Sequence, residues 1–490
     1  MRTGEEYKRA VKGKRNVYIN GEKIGDVTKH EAFTGIVNTV ASLYDYSSKP
    51  ENNMTFRTEW GNTGNKVFMI PHSREDLLDR HSAIARWAEI TVGFVGRSPD
   101  HVGSFLAGFA ANPSIFSRGG KEFADNVLNF YRKVIDEDLY VAYTIIPPQV
   151  DRSKSAHELD EKFVQVGVAE EVEGGIIVRG SQMLGTAAAV SDYIFVSCIP
   201  PLKEGDEDYA ISFYVPLSAN GVKLYCRTPY APGKPSIFDY PLSTRFDESD
   251  AFVVFDDVFV PWENVFVYRN VKLLQSQFFE TPAHVLGNNQ AQIRLSVKLK
   301  FISGIARKIA TANVTDKIQG VIEKLGELAS LSSIVEGMII ASENNGVRRD
   351  INVYAPNPRF LYGAMGMQSE IYPRTIQILR ELSGAGVLQV PSSYRELESK
   401  EIMEDLKRYI RSPDLRTEER IKLFRLAWDV IGSEFAGRHL QYEMFYAGAP
   451  YVAKLYSFRN YDFGESVGLV DNFLLKYDLK SGHSYEELRK

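Results

Sequence analysis

The chain has 490 residues, 44% of them hydrophobic and 25% charged, an ordinary composition for a globular protein of two or three domains. Its net charge of -5 is spread without long runs of one sign, which argues against a nucleic-acid surface and a polybasic membrane patch. Two cysteines and eight scattered histidines exclude a disulfide framework and predict no metal site.

The N-terminal sequence is charged and lacks the apolar segment of a signal peptide. We find no run of about 18 apolar residues, the length typical of a membrane helix. We therefore expect a cytoplasmic protein with no membrane-spanning segment.

Residues 1–139 are predicted to be mainly helical. Ser73 opens a pattern close to a capping box, which marks the start of one helix. Ser98 and Pro99 suit the N-cap and the first position of the next helix. Apolar residues at helical spacing predict a further helix over residues 121–139.

Residues 140–270 consist of short β-branched and aromatic segments separated by turn residues. A Gly-Gly pair at 174–175 predicts a hairpin between segments 163–168 and 175–179. Because no helical pattern separates the strands, we predict an antiparallel sandwich or barrel, and take a barrel as the expected form.

Helical periodicity returns after residue 270, and long segments with short breaks predict an antiparallel bundle. The expected fold is therefore multidomain α+β: an N-terminal mainly helical domain (1–139), an antiparallel β-barrel domain (140–270) and a C-terminal helical bundle (271–490). The predicted bundle helices cover residues 272–313, 316–344, 357–383, 401–411 and 416–447.

The common catalytic motifs are missing from the sequence. It contains no dinucleotide-binding or phosphate-binding glycine loop, no zinc-binding His-Glu-x-x-His and no nucleophile elbow of the Gly-x-Ser-x-Gly type. A chain of this size without such motifs often takes its chemistry from an organic cofactor.

Arg97 lies just before the predicted helix that begins at Pro99. Free backbone N–H groups at a helix N-terminus favour an anion, and an arginine adds a bidentate fork for a carboxylate or phosphate. The alternative is an Arg97 that only pairs with a surface acid.

Two other segments are candidates for cofactor contacts. Gln149 and Arg152 follow the first β-segment and suit a cofactor's ring edge or pyrophosphate, although a plain turn explains them as well. Thr186 lies between two small residues that allow a planar ring to approach, and its hydroxyl can donate to that ring. The alternative for Thr186 is a structural bend.

Taken together, several motifs resemble one branch of the acyl-CoA dehydrogenase-like flavoproteins. This branch is the large oxygenase component of two-component, FAD-dependent 4-hydroxyphenylacetate 3-monooxygenases. The resemblance runs over nearly the whole chain. Its most specific segments are residues 96–100, 138–139, 148–152, 178–180 with Met183 and Thr186, 255–258 with 260–263, and 423–429.

The resemblance implies an activity and partners. A separate NAD(P)H:flavin reductase would supply FAD as FADH2, and molecular oxygen would react with it to give a flavin C4a-hydroperoxide. A small phenolic substrate would then be hydroxylated ortho to its OH group, giving a catechol. The resemblance also implies a homotetramer, and it implies no metal, no nucleic acid and no membrane.

The resemblance further implies catalytic roles for Arg97, His101 and Tyr143, with Arg97 and Ser98 on the substrate side. His101 and Tyr143 stand where the family has a tyrosine and a histidine, respectively. We expect His101 to take the phenol's proton, since imidazole titrates near neutral pH. We expect Tyr143 to donate a hydrogen bond, because a phenol with a pKa of about 10 is a poor base.

The resemblance also implies which residues contact the substrate's acid side chain and which contact FAD. Cys198 and Ile199 are expected to contact the substrate where the family presents small polar groups, so the phenol need not be 4-hydroxyphenylacetate itself. The residues expected to contact FAD are Tyr143, Thr144, Ile145, Gln149, Val150, Asp151, Arg152, Thr186, Gly448, Ala449, Pro450 and Tyr451.

Three alternatives remain open. A 4-hydroxybutyryl-CoA dehydratase has a [4Fe–4S] cluster held by three cysteines and a histidine. This chain has only two cysteines, which argues against such a cluster. An acyl-CoA dehydrogenase proper needs a catalytic glutamate, and the sequence singles none out. A non-catalytic flavin-binding subunit is favoured only by the exchange at positions 101 and 143.

Overall fold

A computed structural model describes residues 1–231, 236–349, 351–389 and 391–477. Its first part is mainly helical and its helices pack on one continuous apolar core. Two short strands from this part, however, join the sheet of the middle part. The elements are α1 (Gly4–Val11), β1 (Asn16–Ile19), β2 (Glu22–Ile24), α2 (Glu31–Ser47), β3 (Thr55–Arg57), β4 (Thr63–Asn65), α3 (Arg74–Ile90), α4 (Pro99–Ala111) and α5 (Lys121–Glu137).

Local hydrogen bonds explain where two of these helices begin. At α3 the Ser73 hydroxyl accepts from the Asp76 amide and the Asp76 carboxylate accepts from the Ser73 amide, both at 3.0 Å, so the predicted capping box is confirmed. At α4, Ser98 holds the predicted N-cap position, but its hydroxyl donates to Asp100 Oδ1 and caps no backbone N–H. The expectation of a capping side chain at Ser98 is therefore wrong.

The middle part holds two open sheets. Their orders are β2-β1-β10-β11-β7-β6 and β12-β9-β8-β5. The strands are β5 (Val141–Thr144), β6 (Gly167–Val172), β7 (Gly175–Gln182), β8 (Tyr193–Val196), β9 (Ser212–Pro216), β10 (Val222–Cys226), β11 (Ala251–Pro261) and β12 (Val265–Val267), with the short helix α6 (Ser243–Phe246) before β11.

The predicted closed antiparallel barrel is thus wrong, whereas the predicted hairpin is present as the antiparallel pair β6–β7. Two pairs are parallel, β1 with β10 and β5 with β8. The physical reason is connectivity: the β6–β7 hairpin lies in the other sheet, so the chain leaves and re-enters the small sheet in the same direction between β5 and β8.

The C-terminal part is a helical bundle, as predicted, in which α8, α9 and α10 pack together. Two predicted helices are each divided in two. Pro282 lies between α7 and α8, and Ser433 caps the start of α15. The elements are α7 (Val271–Glu280), α8 (Ala283–Ala312), α9 (Gln319–Asn344), β13 (Val347–Arg349), β14 (Val353–Ala355), α10 (Pro358–Ser383), α11 (Gly386–Gln389), α12 (Tyr394–Glu398), α13 (Lys400–Tyr409), α14 (Thr417–Ile431), α15 (Glu434–Met444), α16 (Pro450–Asn460) and α17 (Phe463–Leu474).

By length and composition α9 is apolar enough to cross a bilayer. In the protein it packs against α8 and α10, and it forms the ion pair Glu327–Arg374 with α10. Its apolar stretch is 22% buried in the protomer, and one helix of this length and composition is weak evidence for a membrane.

Candidate functional site

Arg97 lies between α3 and α4, where the N-terminus of α4 faces the last turns of α15. Its backbone N–H donates to Glu248, which fixes the main chain at this point. Its guanidinium carbon lies 5.2 Å from the ring centre of Tyr143, 5.1 Å from that of Tyr442 and 5.0 Å from that of Tyr446. In the described part of the chain no carboxylate forms an ion pair with this guanidinium, so the alternative of a surface ion pair is wrong.

His101 is fully buried one turn into α4. Its Nε2 lies 2.8 Å from Arg97 Nη1, and its Nδ1 lies 3.0 Å from Gln290 Oε1 on α8. Since a guanidinium only donates, Nε2 accepts and Nδ1 carries the proton. Burial, and then the charge of Arg97, hold the pKa of His101 well below its ordinary value. This geometry opposes the expected role of His101 as a base, because its lone pair is already engaged.

Tyr143 is the third residue of β5 and forms one wall of the site. Its ring centre lies 5.5 Å from that of His101 and 6.1 Å from that of Phe105. The two exchanged positions, 101 and 143, are therefore adjacent in space, as expected for residues that share one site. The hydroxyl of Tyr143 makes no hydrogen bond within the described ranges, which leaves it free for a ligand.

The two residues after Tyr143, Thr144 and Ile145, hydrogen-bond to the segments that follow β7 and β8. The Thr144 hydroxyl donates to the Met183 carbonyl at 3.0 Å, and the Ile145 carbonyl accepts from the Ile199 amide at 3.1 Å. The structure thus brings the end of β5, the segment after β7 and the segment after β8 to one edge.

Cys198 and Ile199 offer little polarity to a ligand. Burial raises the pKa of the Cys198 thiol to about 12, and its Sγ donates to the Pro200 carbonyl at 3.7 Å. The Ile199 side chain is 45% exposed. Neither side chain supplies the donors that an acidic substituent needs.

Residues 149–152 form an exposed loop after β5. Asp151 accepts from the Ser153 amide at 3.0 Å and from the Ser153 hydroxyl at 2.6 Å, and these bonds lower the pKa of Asp151. Val150 is 51% exposed. The side chains of Gln149 and Arg152 have no hydrogen-bond or ion-pair partner among the residues that the structure describes, so both remain available to an anion.

Thr186 is hydrogen-bonded to a partly buried ionic cluster. Its hydroxyl donates to Asp250 Oδ1 at 2.6 Å, and Asp250 also accepts from Arg438 at 2.9 Å and from Arg227 at 3.2 Å. Burial opposes the charge of Asp250, but these arginines hold its pKa well below its usual range. The hydroxyl proton of Thr186 is therefore committed, and the expectation that it donates to a ring is wrong in this arrangement.

The segment Gly448, Ala449, Pro450 and Tyr451 lies at the start of α16, two residues after Tyr446. Pro450 is the first helical residue, and Tyr451 is 74% exposed. Within the described residues no hydrogen bond or ring contact joins it to the 149–152 loop.

Sequence reasoning missed several residues of the site. Tyr442 and Tyr446 on and after α15, and Gln290 on α8, all lie against Arg97 or His101. The available signals were a tyrosine pair four residues apart and an unusually polar stretch inside a long bundle helix. Neither signal indicates that these residues contact Arg97 or His101, since those two residues lie far away in the sequence.

Comparisons with known proteins show the family of this chain. The family model described as 4-hydroxyphenylacetate 3-hydroxylase N terminal matches residues 3–267, and its C-terminal counterpart matches residues 274–475. The 4-hydroxyphenylacetate 3-monooxygenase oxygenase component of Pseudomonas aeruginosa is 34% identical, with 91% of this chain and 86% of the relative covered.

A Streptomyces globisporus relative, named (3S)-3-amino-3-(3-chloro-4-hydroxyphenyl)propanoyl-[peptidyl-carrier protein SgcC2] monooxygenase, is also 34% identical, covering 91% of this chain and 85% of the relative. A solved oxygenase component of 4-hydroxyphenylacetate 3-monooxygenase, complexed with FAD and 4-hydroxyphenylacetate, superposes with a TM-score of 0.92 at 32% identity, covering 97% of this chain and 99% of that chain. Since the two family models together match most of the chain, this protein belongs to the 4-hydroxyphenylacetate 3-hydroxylase family.

Proposed function

We propose that the protein is a reduced-FAD-dependent monooxygenase that hydroxylates a 4-substituted phenol ortho to its OH group, giving a catechol. The observation that carries the proposal is the guanidinium of Arg97. It lies among three tyrosine rings, has no carboxylate partner among the described residues, and is oriented by a neutral histidine. Such a cation is suited to bind a phenol oxygen and to favour its ionised form.

Arg97 and its neighbours act on the phenol in three ways. The positive charge stabilises the phenolate, which makes the ortho carbon electron-rich. The rings of Tyr143 and Phe105 form an aromatic wall that positions the substrate ring and excludes water. His101 keeps Arg97 in place and remains uncharged.

The residues present fit FAD. The unpartnered Gln149 and Arg152 suit the pyrophosphate, and the preceding segment Tyr143, Thr144 and Ile145, of which Thr144 and Ile145 are buried, leads from that loop to Arg97. Thr186 would accept a hydrogen bond, because its own proton goes to Asp250. When bound in its reduced form, FAD supplies the electrons that activate molecular oxygen for transfer of one oxygen atom.

The substrate class follows from the apolar pair Cys198 and Ile199. Because the thiol of Cys198 is engaged and Ile199 is apolar, we propose a phenol whose para substituent is uncharged or weakly polar. The two relatives above are named for different phenolic substrates, which supports a variable para subsite.

We further propose a separate NAD(P)H:flavin reductase as partner, in agreement with the term oxygenase component in the relatives' names. A homotetramer is supported by α17, where no residue is buried and Leu469 and Phe473 are 71% and 61% exposed. A cytoplasmic location and a role in the breakdown of aromatic compounds complete the proposal.

The test is a turnover assay with FAD, NADH, oxygen and any flavin reductase. A panel of phenols with acidic, neutral and basic para substituents is supplied, and catechol and hydrogen peroxide are both quantified. We expect catechol from the neutral members at least tenfold faster than from the acidic ones. Peroxide without catechol from every phenol would indicate a non-catalytic flavin-binding subunit and would refute the proposal.

A further inference from the structure

A buried chain of hydrogen bonds leads away from Arg97. Arg97 Nη1 lies 2.8 Å from His101 Nε2, His101 Nδ1 lies 3.0 Å from Gln290 Oε1, and Gln290 Nε2 lies 3.1 Å from Asp100 Oδ2. His101, Gln290 and Asp100 are each at most 1% exposed. Ser98 completes the chain, because its hydroxyl donates to the other oxygen of Asp100.

Both ends of this chain have a fixed polarity. A guanidinium can only donate, and a carboxylate that receives two bonds acts as an acceptor. Gln290 must therefore turn its NH2 group to Asp100 and its oxygen to His101. His101 must then carry its proton on Nδ1 and offer the lone pair of Nε2 to Arg97.

We infer that Gln290 is a positioning residue: held by Asp100, it fixes the His101 tautomer that accepts from Arg97, and so it holds the Arg97 guanidinium against the tyrosine rings. The opposite tautomer would place two N–H groups face to face over 2.8 Å. An amide suits this role, since the amide itself does not titrate and offers one donor and one acceptor side.

The consequence for binding rests on the proposed function, because it takes the phenol as the ligand of Arg97. A guanidinium with a fixed orientation loses less side-chain entropy when it binds than one that must be ordered by the ligand. Loss of Gln290 is therefore expected to weaken phenol binding, although Gln290 itself lies behind His101.

The test compares Gln290→Met with Gln292→Met in flavin-free protein. Gln292 is a matched control, because it is also a buried glutamine of α8, but its NH2 group donates to Gln368, whereas that of Gln290 donates to Asp100. Nitrogen-15 spectra of histidine-labelled protein report the tautomer, with the His101 signal assigned by its loss in His101→Asn. Equilibrium dialysis reports the dissociation constant of 4-methylphenol.

We expect the wild type and Gln292→Met to show His101 protonated on Nδ1. In Gln290→Met that signal should shift or split, and the dissociation constant should rise about tenfold. An unchanged His101 signal in Gln290→Met, or the same change in Gln292→Met, would overturn the inference. If the methionine variant does not fold, Gln290→Asn provides the same comparison, since its shorter amide cannot reach both partners.

The two proposals fail differently. A changed His101 signal in Gln290→Met, combined with no binding of 4-methylphenol or any other phenol even to the wild type, would support the positioning role of Gln290 and refute the phenol as ligand. An unchanged His101 signal in Gln290→Met, together with tight phenol binding, would refute the positioning role of Gln290 and support the phenol as ligand.

Discussion

At the scale of single residues, the site depends on an arginine that is surrounded by rings. Aromatic faces stabilise a guanidinium by about 0.5–2 kcal/mol each and leave its N–H groups free, whereas a carboxylate partner would use them. Tyr143, Tyr442 and Tyr446 provide these faces for Arg97. Gly96 permits the arrangement, since a Cβ there would lie 2.3 Å from the Tyr442 hydroxyl.

Replacement of Arg97 tests this role directly. We expect Arg97→Ala to raise the dissociation constant of the phenol by about 10- to 100-fold, because a charge-assisted hydrogen bond is lost, and to change that of reduced FAD by less than threefold. Arg152→Ala is expected to raise the dissociation constant of reduced FAD and to leave that of the phenol nearly unchanged. Both constants are measured by anaerobic dialysis, and an equal loss of the two ligands in Arg97→Ala would place Arg97 on the flavin.

At the scale of elements, α8 combines ordinary helix packing with a buried polar face. Arg294 and Lys298 both donate to Glu443 of α15, with Lys298 Nζ 2.9 Å from Glu443 Oε1. Gln368 of α10 donates to the other oxygen of Glu443 at 2.7 Å. This carboxylate therefore joins three helices next to the tyrosines that surround Arg97.

The helix start at Ser73 gives a stability prediction. Ser73→Ala removes the acceptor for the Asp76 amide, so the free energy of unfolding should fall by about 1 kcal/mol. Urea unfolding followed by circular dichroism measures the loss. Ser82→Ala on the same helix is the control, because its hydroxyl is exposed and caps nothing; an equal loss there would contradict the capping role.

Glu443 gives a prediction for acid stability. Burial alone would raise its pKa, but Arg294 and Lys298 outweigh burial and lower the pKa to about 2, against an ordinary value of 4.5. A lowered pKa in the folded state stabilises the protein above about pH 5, and this contribution is lost as pH falls towards 2. The shift corresponds to about 3 kcal/mol.

We therefore expect the free energy of unfolding of Glu443→Gln to be lower at pH 7 and to change less between pH 5 and pH 3 than that of the wild type. Urea titrations at several pH values measure this difference. A parallel decline of both proteins would show that other carboxylates account for the acid sensitivity. Glu323→Gln, on the outer surface of α9, is a suitable control substitution.

At the scale of the whole molecule, the apolar surface is concentrated near the C-terminus. Helix α17 buries none of its residues in the protomer, and Leu469, Val470 and Phe473 are each more than half exposed. Such an exposed apolar face is typical of an interface between subunits. It supports the proposed homotetramer more directly than the length of the bundle helices does.

Charges on this face should disrupt the assembly. We expect Leu469→Asp with Phe473→Asp to reduce the mass measured by light scattering, with an unchanged circular dichroism spectrum, since neither side chain packs inside the protomer. Leu388→Asp is the matched control, because Leu388 is also 71% exposed but belongs to α11. A double variant with the wild-type mass would remove α17 from the interface.

The sequence by itself determined much about this protein. It determined the order of a helical part, a β part and a helical bundle, the capped start at Ser73, the family, and the proximity of Arg97, His101 and Tyr143. These features follow from local periodicity, from capping residues and from motifs that survive in short segments. The boundaries 139/140 and 270/271 stay predictions, because β1 and β2 join the sheet of the middle part.

Only the tertiary structure decided the rest. It showed two open sheets in place of the expected barrel, a Thr186 hydroxyl that donates to Asp250, and a His101 that accepts from Arg97. These features depend on partners far apart in the sequence, such as His101 and Gln290, which are separated by 189 residues. A one-dimensional pattern records which side chains are available, whereas hydrogen-bond direction depends on which side chains the fold brings together.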